Sequence, residues 1–151
     1  MEAIPQFGAP LPGRDHKPRP GAYGIVVDAR RRLLVVEEFG RLYLPGGGID
    51  PGETPEQALH REFAEETGYT VTIEALIGEA REFVADEMPG VAAAFNKHCY
   101  VFAVRLVGGT GVPAIDTNRP GWMPVARALE ALSNESHRWA VSRFLEGAAR
   151  R

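Results

Sequence analysis

The sequence contains a single cysteine, Cys99, among 151 residues. One cysteine excludes an intrachain disulfide framework and a cysteine-rich zinc site, and it is typical of a reducing compartment. Apolar runs are also short, since none approaches the roughly 20 residues that cross a bilayer, and the N-terminal residues show no signal-peptide pattern. We therefore expect a cytoplasmic protein without a membrane partner.

An excess of charge of one sign is missing as well. Lysine and arginine number 17 against 20 acidic residues, a formal net charge of −3. This balance argues against general nucleic-acid binding and against binding to a membrane surface. The length suits one domain with its own core, which we expect to be a monomer or a homodimer.

The first twenty residues include five prolines and little periodicity. They predict an irregular N-terminal arm over residues 1–20, followed by a single domain over residues 21–151. A small basic cluster lies in this arm, made of Arg14, His16, Lys17 and Arg19. It is consistent with a solvated segment or with a contact to a substrate phosphate or a partner chain.

Apolar patterns predict strands and helices without regular βαβ alternation. This mixture is typical of an α/β domain with a mixed β-sheet between helices. The segments at 22–28 and 33–36 are expected to pair as a hairpin, and 99–107 is expected to be a central strand. Further strands are predicted at 42–44, 71–73, 77–84 and 122–125, and helices at 55–67, 126–132 and 136–149.

The helix at 55–67 has the clearest boundary signals. Thr54 suits the N-cap, Pro55 the first helical position, and Gln57 completes a capping box. Gly68 is the expected stop. Both ends are therefore marked by residues with a local physical role.

Three carboxylates share one face of this predicted helix. At about 100° per residue, Glu65 and Glu66 lie roughly 60° and 40° from Glu62, next to the apolar stripe. Like charges at these spacings each cost about 0.2–0.5 kcal/mol. The pattern fits a solvated acidic face or a site for a hard divalent cation such as Mg²⁺ or Mn²⁺.

The spacing of the charged residues and glycines carries a resemblance. It covers 23 residues and reads Gly47, five residues, Glu53, seven residues, Arg61-Glu62-Phe63, one residue, Glu65-Glu66, one residue, Gly68-Tyr69. This segment resembles the Nudix box of the Nudix (MutT-like) pyrophosphohydrolases. Phe63 and Tyr69 depart from the aliphatic residues usual in the box. The resemblance implies a Nudix-type α/β/α sandwich and a hydrolase acting on acid anhydrides.

The resemblance also implies roles for individual residues. Glu62, Glu65 and Glu66 would be the catalytic and metal-binding carboxylates, with the carbonyl of Gly46 as a further ligand. The implied metal is Mg²⁺, with Mn²⁺ as the alternative.

Four other residues of the box have implied structural roles. Glu53 and Arg61 would pair and brace the loop against the helix, while Gly47 and Gly68 shape the backbone at its two ends.

Many family members use one more acidic residue outside the box. Asp116, six residues before Trp122, is the candidate here. The competing carboxylates, each also consistent with an ordinary exposed side chain, are Glu79, Glu82, Asp86 and Glu87.

The substrate follows by elimination among the subfamily patterns. A nucleoside triphosphate remains, ordinary or oxidised (8-oxo-dGTP-like), cleaved by water to a nucleoside monophosphate and pyrophosphate. The alternatives are ADP-ribose, a dinucleoside polyphosphate, an RNA 5′ end, or a nucleotide sensor without catalysis. Candidate substrate contacts are Asn134, Phe95 and Tyr43; a turn role for the asparagine and core packing for the aromatics are the alternatives.

Overall fold

A computed structural model of the protein describes residues 2–85, 90 and 92–149. Eight strands and three helices lie within these residues. In chain order they are β1 (Gln6–Phe7), β2 (Lys17–Ile25), β3 (Arg32–Glu38), β4 (Arg41–Tyr43), β5 (Gly46–Gly48), α1 (Pro55–Thr67), β6 (Tyr69–Ala85), β7 (Ala94–Gly109), β8 (Arg119–Pro124), α2 (Val125–Ala131) and α3 (Glu135–Ala149).

The strands form two sheets. The larger has five strands in the order β1-β6-β7-β2-β5, and it is mixed because β1 with β6 and β2 with β7 are parallel. The smaller sheet is antiparallel, in the order β4-β3-β8. The predicted α/β class with a mixed sheet is confirmed; the second, smaller sheet was not predicted.

The five-stranded sheet lies between helices. Side chains alternate between its faces, so that Tyr23 and Val101 belong to one buried cluster and Ala22 and Phe102 to another. The first cluster includes buried residues of α2 and α3, and the second those of α1. This layering is the expected α/β/α sandwich.

The expectation of an irregular arm over residues 1–20 is wrong in part. Gln6–Phe7 pairs with β6, and β2 begins at Lys17, which pairs with Phe95 of β7. Residues 17–20 pair with β7 alone in the sheet, because β5 joins β2 only from Gly21. Prolines are tolerated where a strand has an open side that requires no N–H donor.

Two predicted strand arrangements need correction. The segments 22–28 and 33–36 pair only next to their connection, through the antiparallel bridge from Val27 to Leu33 and the hydrogen bond from the Leu34 N–H to the Val26 carbonyl (3.1 Å), because β2 and β3 belong to different sheets. Tyr69–Ala85 is one strand instead of two, with three register shifts between Thr70 and Gly78. The shifts explain the break in the apolar pattern, since each changes the face on which the following side chains lie.

Helix α1 has the bounds that its sequence signals predict, Pro55–Thr67. The Thr54 hydroxyl accepts from the backbone N–H of Gln57 (3.1 Å), and the Gln57 side chain accepts from that of Thr54 (3.0 Å). Gly68 ends the helix at φ 75°, in the left-handed region. None of the helices in the described ranges is long and apolar enough to span a membrane.

His137 of α3 is fully buried behind two rings, those of Tyr23 and Tyr43, with ring centroids 4.5 and 6.2 Å away. The backbone N–H of Leu44 donates to its Nδ1 (3.1 Å), so the neutral ring carries its proton on Nε2. Burial lowers the pKa of His137 to about 3, and the charges of Lys97 and Arg138 act in the same direction.

This burial predicts a pH-dependent stability. The folded protein keeps His137 neutral, whereas the unfolded chain binds a proton near pH 6.5. The contribution of His137 to the free energy of unfolding should therefore be level above about pH 7 and fall below it, by up to about 1.4 kcal/mol per pH unit. Other titrating groups are shared by the wild type and His137→Gln, so urea denaturation of both at pH 8, 6 and 5 should show their difference in stability moving against the wild type as the pH falls. Parallel pH profiles for the two proteins would contradict the assignment.

Candidate active site

A cleft of about 300 Å³ opens beside α1, where β2, β5 and β7 meet. Its lining combines strand backbone, helix carboxylates and the segment before β8. The lining residues outside the β6–β7 connection are Arg19, Pro20, Gly21, Tyr23, Glu38, Tyr43, Gly46, Gly47, Gly48, Glu62, Glu66, Phe95, Lys97, Ile115 and Asn118.

The glycines of β5 bring the backbone directly onto two helix carboxylates. The N–H of Gly46 donates to Glu66 Oε1 (2.8 Å). A Cβ on Gly47 would lie 2.6 Å from Glu62 Oε2, and one on Gly46, which has φ 146°, would lie 2.1 Å from the carbonyl oxygen of Ala22. Only glycine fits at position 46, where the backbone itself is in the way, while Gly47 allows the Glu62 carboxylate to approach the strand.

Glu66 is held at both oxygens. Gly46 donates to Oε1, and the Asn118 side-chain amide donates to Oε2 (3.0 Å). Burial raises the pKa of Glu66 to about 8, and the neighbouring charges of Glu62 and Glu38 raise it too, against the two hydrogen bonds. Burial also raises the pKa of Glu62. The cleft thus disfavours its own negative charges unless a cation accompanies them.

Arg61 connects the loop to the helix. Its guanidinium forms a bidentate ion pair with Glu53 (2.7 and 2.8 Å) and donates to the carbonyl of Gly48 (3.0 Å) and to Glu62 (2.9 Å). The hydrogen bonds from Arg61 lower the pKa of Glu53 to about 2, and Glu53 in turn raises the pKa of Arg61. These contacts fix the orientation of Glu62 toward the cleft.

The three carboxylates predicted to share a face are divided by the fold. Glu62 and Glu66 line the cleft, while Glu65 does not and leaves 41% of its side chain exposed. The nearest cation to Glu65 is Arg61, at 3.5 Å. The backbone carbonyl of Glu65 accepts from Ala114 and so anchors the segment that leads to Asn118.

The structure does not place Asp116 in the cleft. Its side chain is exposed, and Asn118, two residues later, faces Glu66 instead. Thr117 donates to Glu38 (3.1 Å), which lines the cleft from the end of β3. No pattern in the sequence singled out Asn118 or Glu38, since contacts between distant segments bring them to Glu66.

The competing carboxylates have other partners or lie outside the described residues. Glu79 pairs with His98 (2.8 Å), and Glu82 accepts from the backbone N–H groups of Glu135 and Ser136 at the start of α3. Asp86 and Glu87 belong to the residues that the structure does not describe.

A family model described as "NUDIX domain" matches residues 17–144. The chain belongs to the NUDIX family. Of the two departures from the usual box, Phe63 is fully buried against the sheet and Tyr69 is partly buried beside the same cluster.

Similar proteins agree with this membership. The chain is 43% identical over 60 residues to a protein of Bacillus subtilis provisionally named 8-oxo-dGTP diphosphatase, covering 38% of this chain and 40% of that one. It is 32% identical over 73 residues to an RNA pyrophosphohydrolase of Aliivibrio fischeri, covering 47% and 43%. The matches thus span about two fifths of the length of these relatives.

A solved structure shows the shared fold over most of the chain. A NUDIX hydrolase from Nitrosomonas europaea superposes with a TM-score of 0.71 and 22% identity, covering 87% of this chain and 90% of that one. The NUDIX fold therefore extends well beyond the box that the sequence pattern identified.

The candidate substrate contacts of the NUDIX domain fall into two groups. Tyr43 and Phe95 line the cleft. Asn134 does not line it: it is 2% exposed, and its backbone carbonyl accepts from the N–H groups of His137 and Arg138 as α3 begins. Its side-chain Nδ2 has no hydrogen-bond partner within the part of the chain that the structure describes.

The cleft of the NUDIX domain suits a divalent cation that takes only a few of its ligands from the protein. Among the residues described, no group of three or more His, Cys, Asp or Glu side chains is placed to hold a metal. Mg²⁺ usually takes one or two carboxylates and completes its shell with waters and substrate phosphates. Glu62 and Glu66 match that donor set, and their raised pKa values indicate that a cation would relieve their repulsion.

Proposed function

We propose that this NUDIX domain hydrolyses a phosphoanhydride bond of a nucleotide, with ordinary or oxidised nucleoside triphosphates as its substrates. The observation that carries the proposal is the partly buried pair Glu62 and Glu66, set on the β5 glycines and facing an open cleft. The relative named 8-oxo-dGTP diphosphatase supports a nucleoside triphosphate as the substrate, and the one named RNA pyrophosphohydrolase supports cleavage of a pyrophosphate linkage.

The carboxylates of the site would hold the cation. Glu62 and Glu66 would bind Mg²⁺, or Mn²⁺, with Glu65 and the carbonyl of Gly46 as further candidate ligands. When bound, the cation neutralises the diphosphate and lowers the pKa of a water molecule. Water attacks a phosphorus atom and the bridging P–O bond breaks, giving a nucleoside monophosphate and pyrophosphate.

The surrounding residues position this pair. Asn118 and the Gly46 N–H fix the two oxygens of Glu66, and Arg61, itself held by Glu53, fixes Glu62. Contacts of this kind orient metal ligands, and removing one typically lowers metal affinity or activity by about 10- to 100-fold. We expect a loss of about this size when one of these contacts is removed.

Two aromatic side chains of the cleft, Tyr43 and Phe95, support its cations. Each ring carries one of them on a face, Lys97 at 5.8 Å and Arg19 at 4.7 Å from the ring centroid, so we place the substrate's phosphates and not its base beside these rings. Asn134 is 2% exposed and does not line the cleft, so we assign it no contact with the substrate.

A substrate panel tests the proposal. The purified protein is incubated with Mg²⁺ and dNTPs, 8-oxo-dGTP, ADP-ribose, dinucleoside polyphosphates, nucleotide sugars or a 5′-triphosphorylated RNA, and the products are separated by chromatography. We expect the highest kcat/KM for a nucleoside triphosphate, with monophosphate and pyrophosphate as products and loss of turnover on chelation. Absence of turnover with Mg²⁺ and with Mn²⁺ would contradict the proposal and favour a nucleotide sensor.

A further inference from the structure

Two cations stand side by side in the cleft. The parallel register of β2 and β7 pairs Arg19 with Lys97, and both residues line the cleft. Neighbouring positive side chains in a cleft raise the local positive potential and attract an anion.

Arg19 is held without using its hydrogen-bond donors. Its guanidinium carbon lies 4.7 Å from the centroid of the Phe95 ring, a cation–π contact. Throughout the residues that the structure describes, the guanidinium of Arg19 has neither a hydrogen bond nor an ion pair to a protein group, while its backbone belongs to the β2–β7 ladder. The stacked guanidinium therefore keeps its N–H edge available for a planar, bidentate acceptor such as phosphate.

Consecutive glycines of β5 place this cation close to the carboxylates. Gly46 contacts Glu66, and Gly47 leaves room for Glu62. At Gly48, the position of an absent Cβ lies 3.9 Å from both Nε and Nη2 of Arg19. The N–H edge of the Arg19 guanidinium thus lies beside Gly48, one residue along β5 from Gly47 and the site proposed for the metal.

Lys97 adds a second positive charge on the same side. Its Nζ lies 5.8 Å from the centroid of the Tyr43 ring, which also lines the cleft. The cleft lining therefore combines three carboxylates, Glu38, Glu62 and Glu66, with the two cations.

We propose that Arg19 and Lys97 bind the terminal phosphate of the substrate, the one outside the diphosphate bond that is cleaved. This assignment rests on the proposed function and makes the two residues determinants of specificity for nucleoside triphosphates over diphosphates. A diphosphate lies at the carboxylates alone, whereas a triphosphate also reaches the cations.

The test compares dGTP with dGDP in Arg19→Gln and Lys97→Gln, taking dGDP as a substrate or, where it is not turned over, as a competitive inhibitor. We expect each variant to weaken kcat/KM for dGTP by about 10- to 100-fold, mainly through KM. The constant for dGDP should change little. Because both nucleotides are measured on one sample, a loss of folded protein changes both values alike and leaves their ratio unaltered.

Arg105→Gln is the matched control, since Arg105 is a cation of β7 that does not line the cleft. It should keep the wild-type preference. Inhibition by inorganic tripolyphosphate gives a readout apart from turnover, and it should weaken in Arg19→Gln. A wild-type preference for dGTP retained in both cleft variants would overturn the assignment while leaving the proposed function intact. A wild-type protein that hydrolyses no nucleotide would instead overturn both.

Discussion

Replacing Glu66 by glutamine is expected to lower kcat/KM for the best nucleotide substrate by about 10³-fold, since several kcal/mol of transition-state stabilisation are lost and each 1.4 kcal/mol is about tenfold. The amide oxygen of glutamine can still accept from the Gly46 N–H, so the backbone contact is retained. Because the site disfavours a buried charge and raises the pKa of Glu66 to about 8, removing that charge should not lower the melting temperature. Steady-state kinetics and thermal denaturation of the same preparation measure the two effects.

Glu56→Gln provides the control for this variant. Glu56 lies in the first turn of the same helix and is exposed, away from the cleft. The Glu56→Gln variant should match the wild type in activity, melting temperature and affinity for Mn²⁺. Glu66→Gln should bind Mn²⁺ more weakly. Activity of Glu66→Gln within about tenfold of the wild type would remove Glu66 from the metal-binding role.

The helix that carries these carboxylates could be predicted because its signals are local. The capping box at Thr54 and the stop at Gly68 act within a few residues, and the observed bounds agree with them. The separation of Glu66 from Glu65 has no local signal in the sequence. It depends on where β5 contacts α1, because the Gly46 N–H meets Glu66 in the cleft and Glu65 is left partly exposed outside it.

The missed features depend on contacts between distant segments. Lys17 joins a strand because it pairs with Phe95, and no local pattern reports a partner so far along the chain. Asn118 reaches Glu66 because the preceding loop is anchored at Ala114 and Thr117 by other elements. The predicted ligand, Asp116, is two residues before Asn118, whose side chain faces the cleft.

The ring of Phe63 should fit in the core because a glycine of the neighbouring sheet leaves room for it. Phe63 is fully buried, and a Cβ at Gly24 of β2 would lie 2.9 Å from its ring and 3.2 Å from Val104 Cγ2. Phe63→Ala should therefore destabilise the protein by about 3–5 kcal/mol through the cavity it leaves. Gly24→Ala should cost about 1–3 kcal/mol through overpacking against the ring.

The double variant distinguishes direct packing from two independent losses. Once the ring is removed, the added methyl group at Gly24 enters the cavity, so Gly24→Ala/Phe63→Ala should be more stable than the sum of the single effects by about 0.5–3 kcal/mol. Gly121→Ala on β8, where a Cβ meets nothing within 4 Å, should combine additively with Phe63→Ala. Urea denaturation of all these variants gives the coupling free energies. Additive effects for Gly24 and Phe63 would show that the ring of Phe63 does not require glycine at position 24. A favourable coupling would explain how this chain accommodates phenylalanine where the box usually has an aliphatic side chain.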